Sequence, residues 1–543
     1  MACFRSVASL MAVCLVVASS PAWSLSTSSP VISTTTGPVQ GASDQYSFYF
    51  KGIPFAAPPV GPLRFKDPQP PTPWTTPINA TTFSAGCMQR CVLPKPLINC
   101  PATMSEDCLY LNVFTPSLIP RSLPVLIFIH GGAFEAGAAG TPLYESSALA
   151  RSEGMVVVAG NYRLGAFGAF FGGDSTGNFQ LKDQRMVFQW VQDNIAQFGG
   201  DPTRVVISGQ SAGAMSVGCH LASPKSWPYF NSTIMSSNPF ALLMLTPAQA
   251  TSLGSSFAKN AGCPETNNLA CLQAADATVL LNASKSTKPF PWPGQVLTVP
   301  VPWVPVVTGD DLPVQPLFAQ GSQVNPTANV LIGVNTNDSL LFIYEATGAA
   351  KFTKFEADLL LTYVFGVDNA VKIKLQYGKV PEDEPVQMYL SYLLNDYLFL
   401  CPRRFYARNL AARGTLVYQY LFDHVPSMSN WIWNDSATPE CDNYVCHADD
   451  LPFVFNSTQF IAGAPAFTSD EQKLVNFMQG VYGESVRTHG SQVPPNLNWN
   501  PAFSNQAGNM DNAWHFTGTG GEPITDHHKA QCDFWDKIGY NRN

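Results

Sequence analysis

Five stretches of this chain are apolar almost from end to end: LPVLIFI (123–129), GMVVVAG (154–160), RVVISGQ (204–210), NVLIGVN (329–335) and TLVYQYLF (415–422). A strand that alternates apolar and polar residues can leave one face to water, but a strand that is apolar throughout must be covered on both. Between the second and third runs, DQRMVFQWVQDNIAQF (183–198) spaces Met186, Trp190, Val191, Ile195 and Phe198 as on one face of a helix, and GGDP stops it. Buried strands alternating with amphipathic helices predict an α/β fold with a large, mostly parallel central sheet flanked by helices on both faces. The proline-rich stretch PFPWPGQVLTVPVPWVPVV (289–307) reads as a loop.

The rest of the composition narrows the class of function. With 543 residues, 45% apolar and 13% charged, the chain can bury a large core. No repeat, charge run or low-complexity linker divides it, so residues 25–543 read as one domain. The net charge of −8 and the lack of a basic stripe argue against a nucleic-acid partner. Residues 1–24, MACFRSVASLMAVCLVVASSPAWS, carry Arg5, an apolar stretch to Val17 and small residues before Leu25, as a cleavable secretory signal does. That stretch is shorter than the ~20 residues of a membrane span, nothing later is long and apolar enough, and the polar terminus WDKIGYNRN argues against a lipid-anchor signal. A secreted protein is expected. Asn79, Asn231, Asn282, Asn434 and Asn456 head glycosylation sequons, and so does Asn337. Cysteines in that compartment are expected in disulfides rather than on a metal, with Cys219, set among small apolar residues, left as a buried thiol. No metal or organic cofactor is expected, and no feature specifies an oligomeric state.

One short motif carries chemistry. Ser211, in ISGQSAGA (207–214), follows a strand and opens a helix, the setting in which G-x-S-x-G presents a nucleophilic hydroxyl on a sharp turn. The helix start favours the negative charge that develops in acyl transfer. HGGAF (130–134), also after a strand, offers backbone N–H groups at Gly132 and Ala133, which with that of Ala212 could form an oxyanion hole. A serine needs a base and the base an orienting acid, in the order Ser, acid, His for this elbow. His447, in YVCHADDLPFVF, is one downstream histidine among several, while His130 beside the glycines suits a loop-shaping role. For the acid, Asp310, Asp311, Asp338 and Glu345 all stand open.

These segments, with FKGIPFAAPPVGPLRFKDPQPPTPW (50–74), SEDCLYLNVFTP (105–116), NYRLGAFG and GNFQLKDQRMVFQWVQDNIAQFGGDP (177–202), together resemble the type-B carboxylesterase and cholinesterase family of the α/β-hydrolase fold. The resemblance covers nearly the whole chain after the signal and is densest from about 45 to 240. It implies a serine ester hydrolase with Asp338 as acid, where most members have glutamate, and His447 as base. It also implies the bridges Cys87–Cys108, Cys263–Cys271 and Cys401–Cys532. Cys91 pairs with Cys100 as an extra inner bridge, and the neighbours Cys441 and Cys446 pair with each other. Arg64 with Glu106 and Arg163 with Asp183 match structural ion pairs of the family. Ser237 matches a serine that supports the histidine, and Trp303 an acyl-pocket position. A glycan at Asn337 is not expected beside a triad acid. Two departures bear on substrate: Gln210 stands where cholinesterases have an acid, and the Cys87–Cys108 loop lacks the tryptophan that cups a quaternary ammonium. An uncharged ester is therefore expected over a choline ester. The competing readings are a lipase acting on lipid esters, with that loop as a lid, and a non-catalytic adhesion or storage protein.

Overall fold

The structure is a computed structural model that describes residues 29–91, 100–119, 122–263, 269–288, 301–309, 311–347, 352–382, 384–433, 439–494, 497, 499–504 and 510–540. The expected signal segment 1–24, the sequon at Asn434 and residues 289–300 of the proline-rich stretch lie outside these residues.

The apolar runs become the middle of an 11-stranded sheet. In chain order its strands are β1 (Ala42–Ser43), β2 (Phe48–Pro54), β3 (Tyr110–Thr115), β4 (Leu123–Ile129), β5 (Val156–Gly160), β6 (Gly200–Gln210), β7 (Ser232–Ser236), β8 (Asn329–Asn335), β9 (Val417–Phe422), β10 (Asn512–Phe516) and β11 (Glu522–Thr525). The spatial order is β11-β10-β9-β8-β7-β6-β4-β5-β3-β2-β1. Pairing is parallel from β5 across to β10 and antiparallel in the outer strands on both sides, so the sheet is mixed at its edges. The one-residue alternation of a strand sends neighbours to opposite faces, and here both faces are packed. Val125, Ile127, Val158, Ile207, Met235 and Ile332 join one core, while Leu126, Phe128, Val157, Val206, Ile234 and Leu331 join a second.

Helices cover each face, as the run of unbroken apolar strands requires. The amphipathic segment forms α1 (Phe179–Asn194), which continues as a short 3-10 turn to Phe198 and stops at Gly199 with φ +84°. With α2 (Ala212–Leu221), it packs on the first core. α3 (Asp338–Thr347) follows β8, and α4 (Cys401–Ala411) leads into β9. α5 (Leu451–Phe455) and α6 (Ser469–Arg487) cover the second core, and the C-terminal α7 (Lys529–Ile538) returns to the first. Among the described residues there are five disulfides: Cys87–Cys108, Cys91–Cys100, Cys263–Cys271, Cys401–Cys532 and Cys441–Cys446. Cys219 is a buried free thiol, and burial pushes its ionisation far up. Arg64 meets Glu106 at 2.6 Å and Arg163 meets Asp183 at 2.7 Å. No helix among the described residues is long and apolar enough to cross a membrane.

Candidate active site

Ser211 sits between β6 and α2 with φ +56° and ψ −124°, in a region that a residue with a Cβ enters only under strain. The turn is possible because its flanking residues are glycines. A Cβ on Gly209 would run into the backbone of Gly213, and one on Gly213 into the carbonyl oxygen of Ile129. These contacts press the strand end, the helix start and β4 together around the serine. The backbone N–H of Ser211 donates to Ser236 O at 3.0 Å, and its carbonyl accepts the first helical bond from Met215 N at 2.8 Å. Ser211 is 8% exposed and Asp338 is fully buried.

The loop after β4 closes over this turn. Gly132 has φ +114° and Ala133 φ +56°, and Gly132 O accepts from both Glu135 N and Ala136 N at 2.9 Å. A Cβ on Gly131 would lie 3.1 Å from Ser211 Cβ, so the loop passes in van der Waals contact with the serine. Among the described residues, the N–H groups of Gly132, Ala133 and Ala212 have no protein acceptor. His130 stacks on Tyr162 at 4.3 Å, and burial pushes its imidazole down to about 4, so it stays neutral and shapes the loop. The same loop is pinned from the other side. Gln89, in the Cys87–Cys108 segment, accepts from Gly137 N and donates to Gly137 O, both at 2.9 Å. That anchorage ties Gln89, near the start of the lid candidate, to the loop after β4; residues 92–99 of the candidate lie outside the described residues.

Asp338 and His447, 109 residues apart in the chain, meet beside the turn. His447 Nδ1 donates to Asp338 Oδ1 at 2.7 Å, and Asp338 Oδ2 accepts from the Asn335 backbone N–H at 2.8 Å. The loops that carry them are clamped together: Asn335 Nδ2 donates to Cys446 O at 2.7 Å, and Asn337 N to Val445 O at 3.1 Å. Asn337 is buried, which leaves its sequon no room for a glycan. The Cys441–Cys446 bridge closes the loop directly before His447. Phe342 and Phe399 wall the imidazole, with ring centroids at 4.9 and 5.5 Å. Its Nε2 faces the side-chain amide nitrogen of Gln210 at 3.1 Å. Among the described residues no hydrogen bond joins Ser211 Oγ to His447.

One residue differs from expectation. Among the described residues the buried Ser237 Oγ has no hydrogen-bond partner, so Ser237 does not hydrogen-bond the histidine. The hydroxyl next to it does the bonding: Ser236 Oγ lies 2.7 Å from Tyr420 Oη and 2.8 Å from Tyr482 Oη. Trp303, the position matched to an acyl pocket, is 1% exposed and packs edge-on against Phe257 at 5.7 Å, where its bulky indole fills the first core.

Asp450 is a site group that the sequence reading did not single out. It is fully buried, and burial, with the charge of Asp338 adding to it, pushes its carboxyl up to about 7. Tyr420 Oη donates to its Oδ2 at 3.5 Å, linking it to the Ser236–Tyr482 network behind the imidazole. Its one sequence signal was the doubled acid in HADD. Glu135, in the loop over Ser211, is likewise pushed up by burial to about 7, against the opposing charges of Arg90 and Lys288. No cluster of metal-ligating side chains occurs among the described residues.

The description of the carboxylesterase family matches residues 28–535 of this chain. The chain is 33% identical to the crystal protein of Dictyostelium discoideum, over 93% of this chain and 90% of that one. It is 33% identical to the acetylcholinesterase of Bungarus fasciatus, over 86% of this chain and 79% of that one. Among solved structures it is similar to a PNB esterase, with TM-score 0.76 and 28% identity over 93% of this chain and all of that one.

Proposed function

The chain belongs to the carboxylesterase family, and on that premise we propose that it is a secreted serine hydrolase that cleaves uncharged carboxylic esters through an acyl-enzyme. Residues 1–24 serve as its signal peptide and 25–543 as one catalytic domain. The observation that carries the reading is the His447–Asp338 bond of 2.7 Å beside a serine at φ +56°. His447 takes the Ser211 proton as the oxygen attacks the ester carbonyl, and Asp338 holds the ring proton on Nδ1. The N–H groups of Gly132, Ala133 and Ala212 receive the oxyanion, each such donor contributing about 2.7–4 kcal/mol. The alcohol leaves with the proton from His447. Water, deprotonated by the same imidazole, then releases the acid and restores Ser211. No cofactor takes part. Gln210 in the place of an acid leaves this wall without a fixed negative charge, which supports an uncharged substrate.

The similarity to the Dictyostelium crystal protein favours a second reading, in which the fold serves storage or adhesion. One experiment separates them: p-nitrophenyl esters of increasing acyl length, assayed on wild type and Ser211→Ala. Hydrolysis by wild type, lost in Ser211→Ala, is expected. Equal rates for the two would refute the catalytic reading, and a profile that rises with long acyl chains would mark a lipase.

A further inference from the structure

We infer that Gln210 is a positioning residue that caps the proton-accepting nitrogen of His447 in the resting site and is displaced when substrate binds. The consequence for turnover rests on the esterase reading above; the contact does not. A neutral imidazole whose Nδ1–H is committed to Asp338 has one lone pair left, at Nε2. The Gln210 amide N–H occupies it at 3.1 Å. Ser211 must hand its proton to the same lone pair, so the two donors compete for one acceptor.

The surroundings explain why a donor belongs there. Gln210 ends β6 in register with Ser236 and is 3% exposed, so only its side chain can move. Its Oε1 lies against the loop after β4, where a Cβ on Gly131 would come within 2.6 Å of it. The charged groups coupled to the imidazole are carboxyls from two elements: Asp338 and Glu345 on α3, and Asp450 just before α5. Arg403 of α4 faces Asp338 from behind, and Phe342 and Phe399 add no charge. Donation from Gln210 is the contact that favours the neutral, proton-accepting form. An acid in its place would accept from the protonated ring and reverse that preference. When His447 takes the serine proton, Nε2 becomes a donor, which a facing amide N–H can no longer cap.

The test uses two readouts on the full-length protein. In the pH dependence of kcat/KM for p-nitrophenyl acetate, Gln210→Met, which keeps the length and removes the donor, should move the acid limb upward by about 0.5–1 pH unit, the net worth of one neutral hydrogen bond. Gln210→Glu should move it further the same way. In protein labelled with 15N-histidine, the Nε2 resonance of His447, assigned by its loss in His447→Gln, should shift in Gln210→Met and stay put in Ser211→Ala. A resonance that shifts in Ser211→Ala and not in Gln210→Met would overturn the cap, as would an acid limb that neither Gln210 variant moves. The resonance needs no turnover, so an inactive wild type would reject the esterase reading while the cap stood or fell on the spectrum.

Discussion

Replacing Asp338 by Asn probes the site sharply, because both of its carboxylate oxygens face donors. Oδ1 accepts from His447 Nδ1 at 2.7 Å and Oδ2 from the Asn335 N–H at 2.8 Å. An asparagine amide has one accepting end and one donating end. With its oxygen toward His447, its NH2 collides with the Asn335 N–H. With its oxygen toward Asn335, its NH2 faces Nδ1. The peptide N–H cannot lose its proton and the imidazole can move its own, so the second orientation prevails and the ring proton shifts to Nε2. That nitrogen then has no lone pair for Ser211, and it also opposes the Gln210 amide. A triad held in the wrong tautomer loses about 10⁴ in kcat, or about 5.5 kcal/mol of barrier. The assay is kcat and KM for p-nitrophenyl acetate at neutral pH, with Ser211→Ala as the floor and circular dichroism to verify folding. Asp450→Asn is the control. The Asp450 carboxyl, pushed up to about 7, is substantially protonated there already, and the amide imitates that form, so its loss should stay below about tenfold. A loss below tenfold in Asp338→Asn, or an equal loss in Asp450→Asn, would refute the choice of acid.

Two further substitutions test the frame around the site. Gly213→Ala drives a Cβ into the Ile129 carbonyl, so the loop that offers Gly132 and Ala133 must move; kcat should fall by about 10²–10³, the cost of one misplaced oxyanion donor, and full activity would show that the close approach is not needed. Glu471 accepts from Ser427 and caps α6 through Thr468; burial opposes its charge, but these hydrogen bonds win and hold it down to about 2. A carboxyl lowered on folding stabilises above its unfolded value and loses that contribution as pH falls. Glu471→Gln should therefore lower the thermal midpoint at neutral pH, with the deficit closing between the ordinary 4.5 and about 2. A deficit constant across that range would mean that charge is not what stabilises the cap.

What the sequence made legible follows from how far each feature depends on distant partners. The central strands were readable because an unbroken apolar run has few places to go but the middle of a covered sheet. The Ser211 turn was readable because its strand, glycines and helix lie within a few residues. The His447–Asp338 pair was not, on local chemistry: four acids stood open and His447 led the other histidines only modestly, and only the order in which β8 and the loop after β9 are laid into the sheet brings these two together. The resemblance supplied what spacing could not. Ser237 shows how narrow the margin is. Side chains alternate across a strand, so a shift of one residue moves a hydroxyl from one environment to the other. Ser236, the last residue of β7, points with Tyr420 and Tyr482 into the second core, while Ser237, just past the strand at φ +50°, has a buried hydroxyl with no partner. The Gln210–His447 contact lay further out of reach, because it depends on a side-chain rotamer at the end of β6 meeting a ring delivered 237 residues later. Identity at that position was visible in the letters, as an amide where cholinesterases carry an acid. Its direction of donation exists only once Asp338 has been folded against Nδ1 of the same imidazole, leaving Nε2 to face the amide.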